Sequence, residues 1–395
     1  MTSPRPTPVD IDALLALLLA GGPSAPLRTL LARCGDAAAV LSADASTWRE
    51  AGCTPEQCHA LRHPDPARHD RARAWLASPG HHLIGWTCPD YPPLLRDSPH
   101  PPLAVFVDGD PSVLWQPAIA VVGSRIPSAG GRDNARDFAT VLLGHGLTIA
   151  SGLAAGIDAA AHRAALALPG PTYAVIGTGP DLAYPRHHRE LQAQVARQGA
   201  VLSEYPPGTA PRSGQFPARN RLLAALALGT VVIEAAERSG ALITARLAAE
   251  AGREIFAVPG SIHNPMARGC HRLIRDGATL VTHADDILEG VANMAGELAQ
   301  ALQNRLSTPT SAAPETPRPA PALPDPDYQR LWNALGFDPT GMDLLIERTG
   351  LTAASLSSML LVMELEGRVS SEHGRYTRTE GSFTSTAPTG AGRGQ

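Results

Sequence analysis

At 395 residues, with 44% apolar but only 4% aromatic residues, the chain is long enough for two or three domains and must build its core from Ala, Leu, Val and Ile. All 33 basic residues are arginine, so the lysine of a Walker-type phosphate loop is missing and a P-loop ATPase is excluded. The net charge of −4 hides a division: residues 211–275 carry nine arginines against four acids, a local +5, and residues 326–380 carry five against eight, a local −3.

Residues 1–8 are a Pro/Ser/Thr lead-in, expected to be disordered. Residues 9–80 follow a helical rhythm: Leu14, Leu17 and Leu18, then Leu27, Leu30 and Leu31, then Val40, Leu41 and Trp48, broken by Gly21-Gly22-Pro23. This predicts an all-helical domain of four or five helices. Such a bundle serves as a duplex-DNA clamp, as a protein-docking module or simply as packing, and nothing in its residues selects among these. The apolar run Ala13 to Ala20 is too short to span a bilayer, and Asp10 and Asp12 before it carry the wrong charge for a signal peptide. The five cysteines include no CxxC pair, which fits a reducing, cytoplasmic setting. Cys53, Cys58, His59 and His63 have a metal-like spacing. However, Thr54-Pro55 is a helix start that turns Cys58 and Leu61 inward, so no metal site is expected.

Residues 81–117 are Pro-rich, with strand-like runs at 83–86 and 104–107 that read as an arm adding edge strands to the next domain. From 118 to about 290 strands and helices alternate, with apolar strands placed at 119–122, 147–150, 172–176, 200–203, 230–234, 254–258 and 278–281. The fold class is therefore α/β: an extended Rossmann-like, doubly wound, mostly parallel sheet across 81–290, flanked by the N-terminal helical domain and a C-terminal module. Residues 291–325 turn polar and then Pro/Ala/Thr-rich, which predicts a linker. Residues 326–380 read helix, helix, helix, ribbon, with Gly374 at the ribbon's turn: the winged-helix pattern. Its third helix, between Leu351 and Gly367, has no basic residue and carries Glu364 and Glu366, so protein contact suits it better than a DNA major groove. Residues 381–395 are Gly/Ser/Thr-rich and expected to be disordered.

Small polar residues cluster just after the strands: Gly123-Ser124-Arg125, Ser151-Gly152, Gly177-Thr178-Gly179, Ser203-Glu204, Ser239-Gly240 and Pro259-Gly260-Ser261. Open α/β sheets bind ligands beyond the carboxyl ends of their strands, so the clustering predicts a site there. After each of the first two strands a small-residue turn opens a helix, aiming backbone N–H groups and a helix dipole at an anion. Arg125 adds a permanent charge; its plainer reading is a surface residue at a helix start. Arg125 also occupies the second glycine position of a dinucleotide fingerprint, and the second strand ends in Ser151 rather than an acid, so no dinucleotide cofactor is expected. Asp158 and His162 stand one helical turn apart. An acid compensating the helix dipole and bonded to the histidine is favoured there over an acid–base pair. Phe216, Arg219, Asn220 and Arg221 precede a helix expected at 222–228. The aromatic ring would stack on an unpaired base while the arginines hold phosphates. The competing reading buries Phe216 and pairs the arginines with Glu234 or Glu237. Glu234 itself is open between a catalytic acid and an orienting partner, and Ser239-Gly240 would supply a further N–H nest.

These residues resemble the DNA-processing protein A family (DprA, also called Smf). The resemblance runs from Tyr91-Pro92 to about Asp286 and rests on VVGSR (121–125), SGLAAGIDAAAH (151–162), GTGPDLAYP (177–185), SEYPPG (203–208), FPARNR (216–221), SGALIT (239–244) and AVPG (257–260). It implies a cytoplasmic homodimer, formed through the Rossmann domain, that binds and protects single-stranded DNA and loads RecA onto it in natural transformation. It places a phosphate pocket on Gly123, Ser124, Arg125, Ser151 and Gly152, and base and backbone contacts on Phe216, Arg219, Asn220 and Arg221. Ser239, Gly240 and Thr244 would complete the wall. It also likens the N-terminal helices to a SAM or helix-hairpin-helix domain and residues 326–378 to a winged helix. Family members place lysine at some DNA contacts; here those contacts must be arginine, weaker or absent. No cofactor and no membrane insertion are implied, and duplex affinity is left open. The alternative function is an enzyme, a nucleotide-processing phosphoribohydrolase on a similar sheet. The PGGxGTxxE loop of such enzymes is absent, with Arg238-Ser239-Gly240-Ala241 in the comparable place.

Overall fold

Six helix starts organise the first eighty residues. In the computed structural model, which describes residues 8–168, 170–307, 326–335, 340–365, 369–372 and 375–378, these are α1 (Pro8–Leu19), α2 (Ser24–Cys34), α3 (Ala37–Ser42), α4 (Ala45–Glu50), α5 (Pro55–Arg62) and α6 (Pro66–Leu76). Asp36, Asp44, Thr54 and Asp65 each accept backbone N–H bonds at a helix start, and Thr54 forms a reciprocal capping box with Gln57. The caps explain why so short a stretch breaks into more helices than expected. Leu17, Leu27, Leu30, Leu31, Val40 and Trp48 form the bundle's core. Leu15 and Ala72 pack against Phe106 and fasten the bundle to the sheet. Cys53 lies in the bundle core, with Cys58 packed against it. Among the described residues no group of three or more His, Cys, Asp or Glu side chains could hold a metal ion. Nor is any helix among the described residues long and apolar enough to cross a membrane.

The arm supplies β1 (His81–Gly85), the short helix α7 (Pro93–Arg96) and β2 (Ala104–Gly109). The alternating segment follows with β3 (Ala118–Val122), α8 (Ala129–Gly144), β4 (Thr148–Ser151), α9 (Ile157–Ala167), β5 (Thr172–Ile176), α10 (Arg189–Gln198) and β6 (Ala200–Ser203). It continues with α11 (Gln215–Leu226), β7 (Gly229–Val232), α12 (Gly240–Glu250), β8 (Glu254–Ala257), α13 (Arg268–Arg275), β9 (Thr279–Leu280) and α14 (Ala284–Ser307). The nine strands form one sheet in the order β1-β2-β6-β5-β4-β3-β7-β8-β9. The seven from β6 to β9 are parallel, and β2 and β1 add antiparallel at one edge. The strand order reverses beside β3, which pairs with β4 on one side and β7 on the other. That is the switch point of a doubly wound sheet. Apolar side chains fill both faces. Val105, Ala120, Val175 and Leu226 lie on one side; Ile119, Ile149, Phe138 and Phe256 lie on the other.

Two expectations require correction. Residues 291–307, expected to belong to a linker, are helical instead, because α14 runs unbroken to Ser307. Val291, Met294, Ala295, Leu298 and Leu302 recur at helical spacing, and Val291 and Leu298 bury against the Phe256 side of the sheet. The polar residues that suggested a linker are the exposed face of an amphipathic helix. Likewise α11 starts at Gln215 rather than 222, because Pro217 falls in the first turn, where a missing N–H costs nothing. The lead-in before residue 8, the linker at 308–325, the ribbon's turn at Gly374 and the tail lie outside the described residues.

The second unit, residues 309–395, contains α15 (Pro326–Ala334), β10 (Thr340–Gly341), α16 (Met342–Thr349), α17 (Ala353–Leu365), β11 (Val369–Glu372) and β12 (Arg375–Arg378). Its strands pair in the order β10-β12-β11, and Leu331, Leu335, Leu345, Leu356, Leu360 and Met363 form its core. This is a winged helix.

Candidate nucleic-acid interface

Beyond the carboxyl ends of the central strands the chain makes a floor of internally satisfied polar groups, with a few unsatisfied ones standing above it. The turn after β4 is the clearest part of the floor. The Asp158 carboxylate accepts N–H bonds from Gly152 at 3.1 Å and Ala154 at 3.3 Å, so the anion this turn binds is one of the protein's own. Leu153 is held at a left-handed φ of 57°, an unfavourable conformation for a side chain of its size. His188 Nδ1 fixes it by donating to the Leu153 carbonyl at 2.9 Å. The Ser151 hydroxyl donates to the Val121 carbonyl at 2.6 Å and ties β4 to β3.

Arg219 completes the floor. Its side chain is only 5% exposed. Nη1 donates to the carbonyls of Gly152 (2.7 Å) and Val175, and Nε donates to Asn220 Oδ1 at 3.0 Å. A Cβ on Gly152 would lie 2.7 Å from the Arg219 guanidinium and 2.8 Å from Asp158 Oδ2, so only glycine fits between these two charges. Burial lowers the Arg219 pKa to about 10, still charged at neutral pH, while Asp158 pulls it upward. Burial pushes the Asp158 carboxyl above its ordinary value, against the pull of Arg219 and the two amide donors.

Ser151, Gly152 and Arg219, expected to face phosphates, therefore hold the loops after β4 and β5 together. Most of their polar groups are already engaged inside the protein. Thr244 is likewise buried, on α12. The expected Asp158–His162 bond does not form. His162 Nδ1 instead donates at 2.9 Å to Thr172 Oγ1, which in turn donates to the Ile149 carbonyl. Burial drives the His162 pKa down to about 3, so the ring is neutral. Glu234 accepts from the Ser128 N–H (2.9 Å) and hydroxyl (2.6 Å) and from Asn264 Nδ2 (3.3 Å). Ser128 caps α8, so Glu234 orients a helix start, and among the described residues no arginine pairs with it.

Above the floor the picture changes. Gly123 and Ser124 follow β3; Ser124 is buried, its hydroxyl accepting from the Ile126 N–H at 3.1 Å and donating to the Met266 sulfur at 3.7 Å. Arg125 is exposed, and beside it Ile126 is 84% exposed. Phe216, in the first turn of α11, is half-buried, and its ring centroid lies 5.0 Å from that of Tyr184. The Asn220 carbonyl oxygen serves Arg219, and its amide NH2 has no partner among the described residues. Arg221 donates from Nη2 to both Glu204 carboxylate oxygens, at 2.5 and 2.7 Å, while its buried Nη1 has no hydrogen-bond partner among the described residues. Ser239 caps α12 by accepting from the Ala241 N–H, and Gly240 is exposed.

The basic excess of residues 211–275 is thereby thinned at the surface. Arg219 is buried, Arg221 is paired, Arg253 donates to the Ala225 and Leu94 carbonyls, and Arg246 and Arg272 pair with Glu250 and Asp276. Arg212, Arg238, Arg268 and Arg275 remain exposed without an acidic partner among the described residues.

The switch-point crevice, the arginine at its first turn and the order of the turns also define a family. A model of the DNA recombination-mediator protein A family matches residues 82–292, from within β1 into α14, and so covers the whole sheet. The chain belongs to the DprA family. A second model, the DprA winged helix domain, matches residues 314–375. Protein Smf of Escherichia coli is 39% identical over 336 residues, 85% of this chain and 87% of that protein. The DNA processing protein DprA of Streptococcus pneumoniae is 48% identical over 200 residues, half of this chain and 70% of that protein. The X-ray structure of DprA from Streptococcus pneumoniae superposes with a TM-score of 0.63 at 35% identity, covering 72% of this chain and 98% of that one. Within this DprA-family sheet, His188 and Tyr184 escaped the sequence reading, and Asp158, expected to bond His162, instead accepts the N–H groups of the turn after β4. The signal for Tyr184 was present: an aromatic residue in a strand-end turn, immediately before Pro185.

Proposed function

We propose that this chain binds single-stranded DNA across the carboxyl edge of its sheet, protects it, and loads RecA onto it in natural transformation. It does so as a cytoplasmic homodimer formed through the Rossmann domain and without catalysis. The observation that carries the reading is the exposed Arg125 at the switch point, on the same strand-end edge as the Phe216 and Tyr184 rings. A permanent charge for phosphates and flat rings for bases are the two elements of sequence-tolerant single-strand binding. Arg125, Phe216 and Asn220 make the direct contacts, with Gly123, Ser239 and Gly240 offering backbone and hydroxyl groups, while the buried Ser124 holds the turn beneath Arg125. Arg221 contributes only where a phosphate competes with Glu204. Ser151, Gly152, Arg219 and Thr244 form the frame. Membership of a family described as a DNA recombination mediator supports the same reading.

The test is fluorescence anisotropy with labelled oligo-dT and a matched duplex at several salt concentrations. The expected result is preference for the single strand, with log K falling by roughly 0.7 per phosphate contact for each decade of salt. An Arg125→Ala, Phe216→Ala double variant that stays folded and binds as tightly as the native chain would sink the proposal. RecA loading is tested separately, by whether the chain shortens the lag in RecA's DNA-dependent ATP hydrolysis.

A further inference from the structure

The aromatic platform has two members, and they are unequal. Phe216 is wedged: a Cβ on Gly177, the first residue after β5, would lie 3.1 Å from its Cδ1, so one edge of the ring rests on the strand-end backbone. Its other neighbour is Tyr184, inclined at 37°. Tyr184 is 44% exposed, an unusual position for a large ring in a chain with so few aromatics. It stands in the turn that leads from β5 to α10. Arg186, His187 and Arg189 follow it within five residues, all exposed and without an acidic partner among the described residues. A flat ring open to solvent, braced from behind by a second ring and followed by positive charge, matches the chemistry of an unpaired nucleotide.

We propose that Tyr184 is a base-stacking residue of the single-strand site beside Phe216, which also braces it. The strand would then run from Arg125 at β3 toward β5, with the Arg186 segment taking its phosphates at that end. This rests on the single-strand reading and extends it by a residue, a direction and a division of labour. Two strand spacings separate β3 from β5, roughly 10 Å, enough for one or two nucleotides between the Arg125 phosphate and the Tyr184 base.

The experiment uses the full chain and oligo-dT carrying 2-aminopurine, whose fluorescence is quenched on stacking. Tyr184→Phe should bind and quench as the native chain does. Tyr184→Ala should lose affinity about 5- to 150-fold, with less quenching and an unchanged salt slope. Arg186→Ala should lower the slope by about 0.7 with quenching intact. Tyr184→Leu separates stacking from propping, because it keeps an apolar side chain against Phe216 but has no flat face. Leu binding and quenching like tyrosine would overturn the proposal, as would a folded Tyr184→Ala variant with native affinity. A native chain that ignores oligo-dT altogether would overturn the single-strand reading instead.

Discussion

Arg125 and Arg219 illustrate how the same residue type takes opposite roles on one strand-end edge. Arg125 is exposed, and removing it should weaken single-strand binding while lowering the salt slope by about 0.7 and leaving base preference and thermal stability almost unchanged. Arg219 is enclosed, and Arg219→Met leaves the Asp158 carboxylate buried without its counter-charge. It also strips the buried Gly152 and Val175 carbonyls of their donor, at about 1–3 kcal/mol for each group left unpaired, so urea denaturation should show a large fall in stability. Arg219→Lys should recover only part of it, because an ammonium lacks the planar fork that reaches the Gly152 and Val175 carbonyls and Asn220 together. If Arg219→Met instead kept native stability and altered only the salt slope, the frame assignment would be wrong. Sequence could not separate the two arginines. Burial of a guanidinium depends on carbonyls that come from β4, β5 and α11, sixty-seven residues apart in the case of Gly152.

At the level of elements, α14 makes the sharpest claim. Leu298 is buried against the sheet, so Leu298→Ala should cost about 2–5 kcal/mol, measured as a shift in the denaturation midpoint. Truncation after residue 290 should destabilise the Rossmann unit, because it strips the cover from Phe256 and Val281. A truncated chain as stable as the full one would show that the helix merely rests there. The strands, by contrast, were legible to within a residue or two at most boundaries, since each is an apolar run ended by small residues. The start of α11 and the extent of α14 were not. In α11 a proline resembled a breaker although it sits in the first turn, and in α14 an exposed polar face masked a helical period. The strand-end location of the candidate site was readable from where the small residues fall. Which of those residues turn inward was not, because that is decided by contacts between turns.

For the whole molecule, buried histidines set an acid limit. His162 has a folded pKa of about 3 against an unfolded value near 6.5, so below pH 6.5 the unfolded chain takes up a proton that the folded chain refuses. Stability should therefore fall as pH drops from 6.5 toward 3, by about 1.4 kcal/mol per unit of pKa difference, and His188 adds in the same direction. His162→Asn should flatten the profile of stability against pH between 7 and 5; an identical slope in the variant would refute the assignment. The satisfied floor beneath the crevice has a further consequence, in time rather than in energy. Most of its donors and acceptors are already paired, so little there needs to rearrange when a ligand arrives. Association should be a single step, seen by stopped flow as one exponential whose rate rises linearly with concentration. Charge steers the encounter and stacking holds the complex, so Arg125→Ala should slow arrival, whereas loss of either ring should shorten the residence time.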